Sequence, residues 1–348
     1  MNSIPSSMTG VILAFFLLLT GDPITAQPAV LPACKEAAWN TIRISNEAIP
    51  AGPYKIFIIT NRPYVPQAEN QEYFPNGLAK SLTYFIAACD GDTWHFHFVN
   101  GFEEGMNAIN DGRNILVFVE GHGKTLPMAL DRAYQVQLRY NLSMVVFDWP
   151  SDNRNFKSSL DAISRCEGNF YTFLLQMKEY RRRKMNESQH LSILAHSMGN
   201  YFLNHSVERD DGLYLREVFV DNIIMNAPAI PSKGHGKAIS QMAFQKRIYI
   251  TSNKNDLVLR GAGVLASSRM LGNKVVGPMA KNAHYVNFSD VAGTEHSYYY
   301  GHQPFEHTLP AFYYFYHTSF QGDEVDFSDR NMFVPLKDNE GYAVAGTR

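Results

Sequence analysis

The sequence predicts an α/β fold with a mostly parallel central sheet and helices on both faces. Three observations predict it. Apolar runs of strand length recur along the chain and are mostly separated by helix-length segments, as parallel sheets demand. The most continuous of these runs, Asn114 to Val119, has the pattern of a strand buried on both faces. A later run, Leu191 to Ala195, stops at a turn holding one serine, and the residues after that turn (Tyr201, Phe202, Leu203) start an amphipathic helix.

Residues 1–26 read as a secretion signal, with the apolar core Val11 to Thr20 and a cleavage point after Ala26, so the protein is expected to be exported. Residues 27–53 are an N-terminal segment, 54–320 the main domain and 321–348 an irregular polar tail. Strands are expected near Lys55 to Thr60, Trp94 to Asn100, Ile115 to Val119, Met144 to Phe147, Leu191 to Ala195, Val218 to Met225, Arg247 to Thr251 and Tyr285 to Ser289. A long helix is expected from about Phe156 to the basic run Arg181 to Lys184, where cations favour the helix dipole. The glycine-rich segment Gly261 to Ala283 is expected to pack beside the site, and the aromatic group Phe312 to Tyr316 to lie on a closing helix against the sheet.

The strand-turn-helix unit at Ala195, His196, Ser197, Met198 and Gly199 carries the chemistry. A serine at such a corner is held in a strained backbone conformation, which requires small neighbours two residues before and after it. Ala195 and Gly199 are those neighbours. The hydroxyl then projects at the amino end of a helix, where the partial positive charge favours developing anions.

Downstream, Asp256 follows the penultimate strand and His296 follows the last one. Taken alone, Asp256 reads as a turn residue and His296 as a packed histidine; Asp290 and His302 are the rival acid and base. In the order serine, acid, histidine, the three match the triad of the alpha/beta hydrolases and differ from the orders of the chymotrypsin and subtilisin folds. Histidine takes the serine proton as general base, and a buried aspartate fixes its tautomer. The loop after the Asn114 to Val119 strand, Glu120 to Thr125, has two glycines that let backbone approach a ligand. In this arrangement the oxyanion donors are the N–H groups of Met198, just after the nucleophile, and of His122 in that loop.

At these positions the chain resembles an uncharacterised family of alpha/beta hydrolases. The motifs that carry the resemblance are Ile59 to Arg62 (A-T-N-R type), Val119 to Gly123 (V-H-G-Y-N type), Phe147 to Ser151 (F-x-W-P-S), Ala195 to Gly199 (A-H-S-M-G) and Glu295 to Tyr299 (G-H-S-Y-F type). They occur in order between about Tyr54 and Tyr316. The resemblance implies the alpha/beta-hydrolase fold and a hydrolase site, and supplies no substrate. The chain departs from the pattern at Glu120, where the family has histidine, and at Glu295, where it has glycine; a carboxylate at Glu120 bears on the hydrogen bonds of the oxyanion loop.

A net charge of −2, from 31 basic and 33 acidic residues, supplies no field for nucleic acid. His95 and His97 share a strand face, but no cysteine or carboxylate follows at ligand spacing, so no metal is expected, and serine-based hydrolysis requires no cofactor. Among Cys34, Cys89 and Cys166, the expected disulfide joins the first two, although sequence alone does not establish the connectivity. The sequence therefore points to a serine hydrolase for a small carboxylic ester or acyl substrate, with no stable membrane insertion once the signal is cleaved. A peptidase or amidase, and a non-catalytic binding protein on a hydrolase scaffold, are the alternatives.

Overall fold

The computed structural model describes residues 42–346, apart from 51–53, 67–71, 90–92, 152–154, 211–212, 301–309 and 338–339. The segment read as an export signal, Cys34 and the rival base His302 lie outside the described residues. All described residues belong to one unit, Cys34–Arg348.

Twelve strands among the described residues form one sheet: β1 (Ile42–Ser45), β2 (Lys55–Thr60), β3 (Thr83–Cys89), β4 (Trp94–Phe98), β5 (Ile115–Val119), β6 (Ser143–Asp148), β7 (Leu191–His196), β8 (Val220–Asn226), β9 (Gln245–Ser252), β10 (Ala283–Asn287), β11 (Phe333–Pro335) and β12 (Tyr342–Val344). Their order across the sheet is β1-β4-β3-β2-β6-β5-β7-β8-β9-β10-β12-β11. From β2 through β10 every neighbouring pair is parallel. The central strands β5, β6, β7 and β8 are buried at every residue, because helices cover both faces and leave no solvated side to mark by alternation.

Among the described residues the α-helices are α1 (Phe102–Ile109), α2 (Leu126–Tyr140), α3 (Phe156–Lys184), α4 (Asn200–Asp210), α5 (His235–Ser240), α6 (Leu257–Leu265) and α7 (Pro310–Phe320). On one face Phe147 of β6 packs against Phe170 of α3 and Phe202 of α4, and Phe102 of α1 against Phe173 of α3. On the other, Tyr140 of α2 meets Tyr313 and Phe320 of α7. The aromatic group on α7 is therefore a packing face, as its sequence suggests: Phe312, Phe315, Tyr316 and Phe320 are buried.

Three features depart from the sequence expectation. Between β2 and β4 the structure places a strand, β3, antiparallel to both. The segment 27–53 contributes β1, which extends the edge in parallel with β4. The tail, expected to be irregular, contributes β12, parallel to β10, and β11, antiparallel to β12. Four residues hold it there: Phe333 and Val344 are buried, and Phe327 stacks on Tyr342 with ring centroids 4.3 Å apart. Strands this short carry too few residues for a periodic signal, and their pairing supplies what propensity does not. Cys89 is disulfide-bonded, and Cys166 is free and buried in α3. Among the described residues no helix is long and apolar enough to cross a membrane.

Candidate active site

The parallel strands deliver the site residues at their carboxyl ends. Ser197 follows β7 directly with φ +52, the left-handed region that a non-glycine residue occupies only when its surroundings impose it. Those surroundings are visible. A Cβ at Gly199 would lie 2.6 Å from Val119 O, and one at Gly121 would lie 2.7 Å from Ser197 Cβ, so the β5 loop and the serine turn fit only with glycine at both positions. Asn200 ties the turn, its side-chain amide donating to Ala195 O at 2.9 Å and to Ser197 O at 3.0 Å.

Asp256 is fully buried at the start of α6. Its Oδ1 accepts the Leu259 N–H at 2.9 Å as a helix cap, and its Oδ2 lies 2.6 Å from His296 Nδ1. His296 and Ser197 line one pocket of about 450 Å³, whose walls include Gly121, Lys124, Leu257 and Tyr300. Among the described residues no hydrogen bond joins Ser197 Oγ to the His296 ring. The rival acid, Asp290, is exposed and lies 3.8 Å from Lys254. Two larger cavities, of about 730 and 630 Å³, lie beyond α4 and between α1 and α3, and neither borders Ser197 or His296.

The β5 loop is braced by the other motifs. Asp148 holds Arg62 Nε at 2.9 Å, and Arg62 Nη2 donates to Lys124 O at 2.8 Å and to Trp149 O at 2.9 Å. Ser151 Oγ accepts the Lys124 N–H at 2.8 Å, and Trp149 Nε1 donates to Glu120 O at 2.9 Å. The residues Ile59 to Arg62 and Phe147 to Ser151 thus fix the backbone from Glu120 to Lys124. His122 sets its ring Nδ1 2.7 Å from Ser159 Oγ.

Glu120, the departure from the family pattern, is buried and satisfied. Its Oε1 accepts the Gly121 N–H at 2.8 Å, and its Oε2 accepts Arg132 Nη1 at 2.8 Å and the Tyr299 hydroxyl at 3.2 Å. The carboxylate pins the first peptide of the loop. Arg132, which sequence reasoning missed, supplies the opposite charge from α2, and its guanidinium also lies 5.4 Å from the Tyr300 ring centroid. A lone arginine in mid-helix carries no sequence signal for such a role.

In the sequence His196 stands out only as a motif position, yet its ring packs on the His296 ring with centroids 4.6 Å apart. Tyr316 Oη and Thr251 Oγ1 both donate to Asn226 Oδ1, at 2.5 and 3.2 Å, so the Asn226 amide faces His196 Nδ1 at 3.3 Å. That assigns the His196 proton to Nε2, which faces Ser297 Oγ at 3.2 Å and Glu120 Oε1 at 3.8 Å. Burial pushes the His196 pKa well below the usual imidazole value, and the neighbouring His296, Arg132 and Lys124 push the same way. Burial likewise lowers the Lys124 pKa, with Arg132 adding to the effect and Glu120 opposing it.

Among the described residues no group of three or more His, Cys, Asp or Glu forms a metal cluster; His95 and His97 stack on β4 with centroids 6.5 Å apart.

No curated protein matches the chain. Among solved structures the chain is similar to an esterase of Pyrobaculum calidifontis in its monoclinic form and to a hyperthermophilic esterase from the same archaeon. Each is 11% identical, with a TM-score of 0.34, over 63% of this chain and 75% of that one. It is also similar to an arylesterase, 9% identical with a TM-score of 0.31, over 65% of this chain and 79% of that one. A family model described as alpha/beta hydrolase of unknown function (DUF900) matches residues 101–309, which include β5, its loop, the serine turn, Asp256 and His296. The chain belongs to this family of alpha/beta hydrolases.

Proposed function

We propose that the protein is a serine hydrolase acting on carboxylic esters. Ser197 Oγ attacks the substrate carbonyl carbon while His296 Nε2 takes the hydroxyl proton. The N–H groups of Met198 and His122 hold the resulting oxyanion. Collapse of that intermediate expels the alcohol, which leaves with the proton from His296, and forms an acyl ester on Ser197. Water then attacks the acyl group as His296 removes its proton; collapse releases the acid and returns the proton to Ser197. Asp256 keeps the His296 proton on Nδ1 and stabilises the imidazolium at each step.

The observation that carries this reading is one pocket holding a serine at φ +52 beside a histidine whose Nδ1 lies 2.6 Å from a fully buried carboxylate. The assignment of His122 draws support from the Gly121 N–H being committed to Glu120, which leaves the oxyanion role to the next peptide along the loop. The Ser197 to His296 hydrogen bond belongs to the substrate-bound state, in which such contacts tighten. Action outside the cytoplasm draws support from the disulfide at Cys89 and from the apolar run Val11 to Thr20.

The test is covalent labelling with a fluorophosphonate, comparing the wild type with Ser197→Ala. Labelling of the wild type alone is expected. A folded wild type that does not label would overturn the catalytic reading in favour of a binding scaffold. A panel of matched esters and amides then separates esterase from amidase.

A further inference from the structure

We propose that α6 is a docking face for an anionic lipid–water interface, so that the Ser197 pocket receives acyl esters from such a surface. The choice of substrate rests on the hydrolase reading above, whereas the docking itself does not.

The helix is inverted relative to an ordinary surface helix. At 100° per residue, Leu257, Val258, Gly261, Val264 and Leu265 fall within one third of its circumference. That third faces outward: Leu257 is 58% exposed, Val258 55%, Val264 80% and Leu265 73%. The opposite side carries the buried Leu259, with Ala262 and Ala266 packed against the core. Single exposed apolar residues are ordinary, but four branched ones in a stripe on a helix of nine residues are the mark of an interaction surface.

Position and charge identify the occupant. Leu257 and Val258 line the pocket that holds Ser197 and His296, so the stripe runs from the mouth of the site outward. The acid that starts this helix is also the one that holds His296. From Leu257 to Ser289 the chain has no Asp or Glu, while Arg260 on α6 and Arg269 and Lys274 in the segment after it make this end of the segment cationic in a protein of net charge −2. The nearest carboxylates in sequence beyond it, Asp290 and Glu295, are both exposed. An apolar helix face in a cationic segment fits a surface of acyl chains beneath anionic headgroups. A helix of nine residues lies on such a surface and does not span it.

The test places an environment-sensitive fluorophore on the full-length chain at Val264→Cys, and in a second variant at Leu265→Cys. Cys166 is buried and Cys89 is in a disulfide, so the new thiol is the reactive one. Leu213→Cys, at an exposed leucine outside α6, is the control. The expected result is a blue shift at 264 and 265 on vesicles of phosphatidylcholine with one third phosphatidylglycerol. The shift should be smaller on phosphatidylcholine alone and reversed by salt, with no shift at 213. Unchanged emission at 264 and 265, an equal shift at 213, or equal shifts on the two vesicles would overturn the proposal. So would a concentration-dependent shift without lipid, which would assign the stripe to a second copy of the chain. Fluorophosphonate labelling of the same samples reads the hydrolase reading separately: its failure leaves the vesicle result standing.

Discussion

Asp256 uses its two oxygens for separate purposes, capping α6 with Oδ1 and holding His296 with Oδ2. Asn at this position keeps a capping oxygen, and Asn and Asp are near-equal helix caps, so Asp256→Asn should change stability by no more than about 1 kcal/mol. It replaces the charge facing His296 with an amide, and an amide N–H aimed at Nδ1 imposes the wrong tautomer. Ester turnover should therefore fall roughly 10⁴-fold. Steady-state kinetics beside a melting curve checks both, and a variant as active as the wild type would remove Asp256 from the site. Glu120 makes the complementary case. Glu120→Ala leaves Arg132 without its buried partner and frees the Gly121 peptide, so it should cost about 3 kcal/mol of stability as well as activity. Glu120→Gln keeps an acceptor for the Gly121 N–H and fills the same space, but turns an amide N–H toward Arg132 in place of Oε2, so its loss of activity, roughly tenfold, should come with less unfolding than Glu120→Ala causes. Equal melting temperatures for wild type and Glu120→Ala would show that the buried pair carries no such weight. The sequence exposed Glu120 only as an exception to a pattern; Tyr299 reaches it from far along the chain and Arg132 from the middle of the next helix, and no local signal ties either to it.

At the scale of elements, the site was legible where one short segment fixes its own geometry. The serine turn needs small residues at Ala195 and Gly199 because β7 runs against β5, with Ala195 paired to Val119 and Gly199 pressed on the Val119 carbonyl. Gly199→Ala should therefore be damaging out of proportion to one methyl group. The methyl would sit 2.6 Å from a backbone oxygen that cannot rotate away, and overpacking of this kind costs about 1–3 kcal/mol. The shift needed to relieve it would move Ser197 relative to the β5 loop, so probe labelling of Ser197 should slow even at temperatures where the variant is fully folded. Unchanged labelling at full speed would mean the turn tolerates the displacement. The bracing of the loop by Arg62, Asp148 and Ser151 was not legible at this scale. These residues stand out as motif positions, but their contact with the backbone of Lys124 follows only from strands β2 and β6 lying side by side.

At the scale of the molecule, the parallel core from β2 to β10 and strand β4 were readable from strand-length apolar runs, and β1, β3, β11 and β12 were not. Strand β3 pairs antiparallel within a compact β2-β3-β4 unit, and β1, β11 and β12 are three or four residues each, held by pairing with the sheet. Burial also sets how the whole fold responds to acid. Four histidines, His196, His235, His284 and His317, have their pKa values lowered from 6.5, with burial the leading cause in each. His196 and His235 are nearly inaccessible, and His235 is fully committed as a neutral ring, its Nδ1 at 2.5 Å from Ser232 O and its Nε2 at 2.8 Å from the Tyr285 hydroxyl. Below pH 6.5 the unfolded chain takes up protons that the folded chain refuses. Each such group therefore removes about 1.4 kcal/mol of stability per pH unit until its folded pKa is reached. Asp221 does not mask this window. Burial opposes the charge of Asp221, but Lys246, the Leu191 N–H and Arg181 outweigh it and hold its pKa below 3.8, so its contribution is present above that value and is lost only in stronger acid. The melting temperature should accordingly hold steady from pH 8 to about 6.5 and decline continuously to pH 5. His235→Asn should be less stable at pH 7.5 yet decline less steeply below 6.5. A profile flat down to pH 5 would mean that the folded protein accepts these protons, and that the polar network around His196 rearranges to carry a charge.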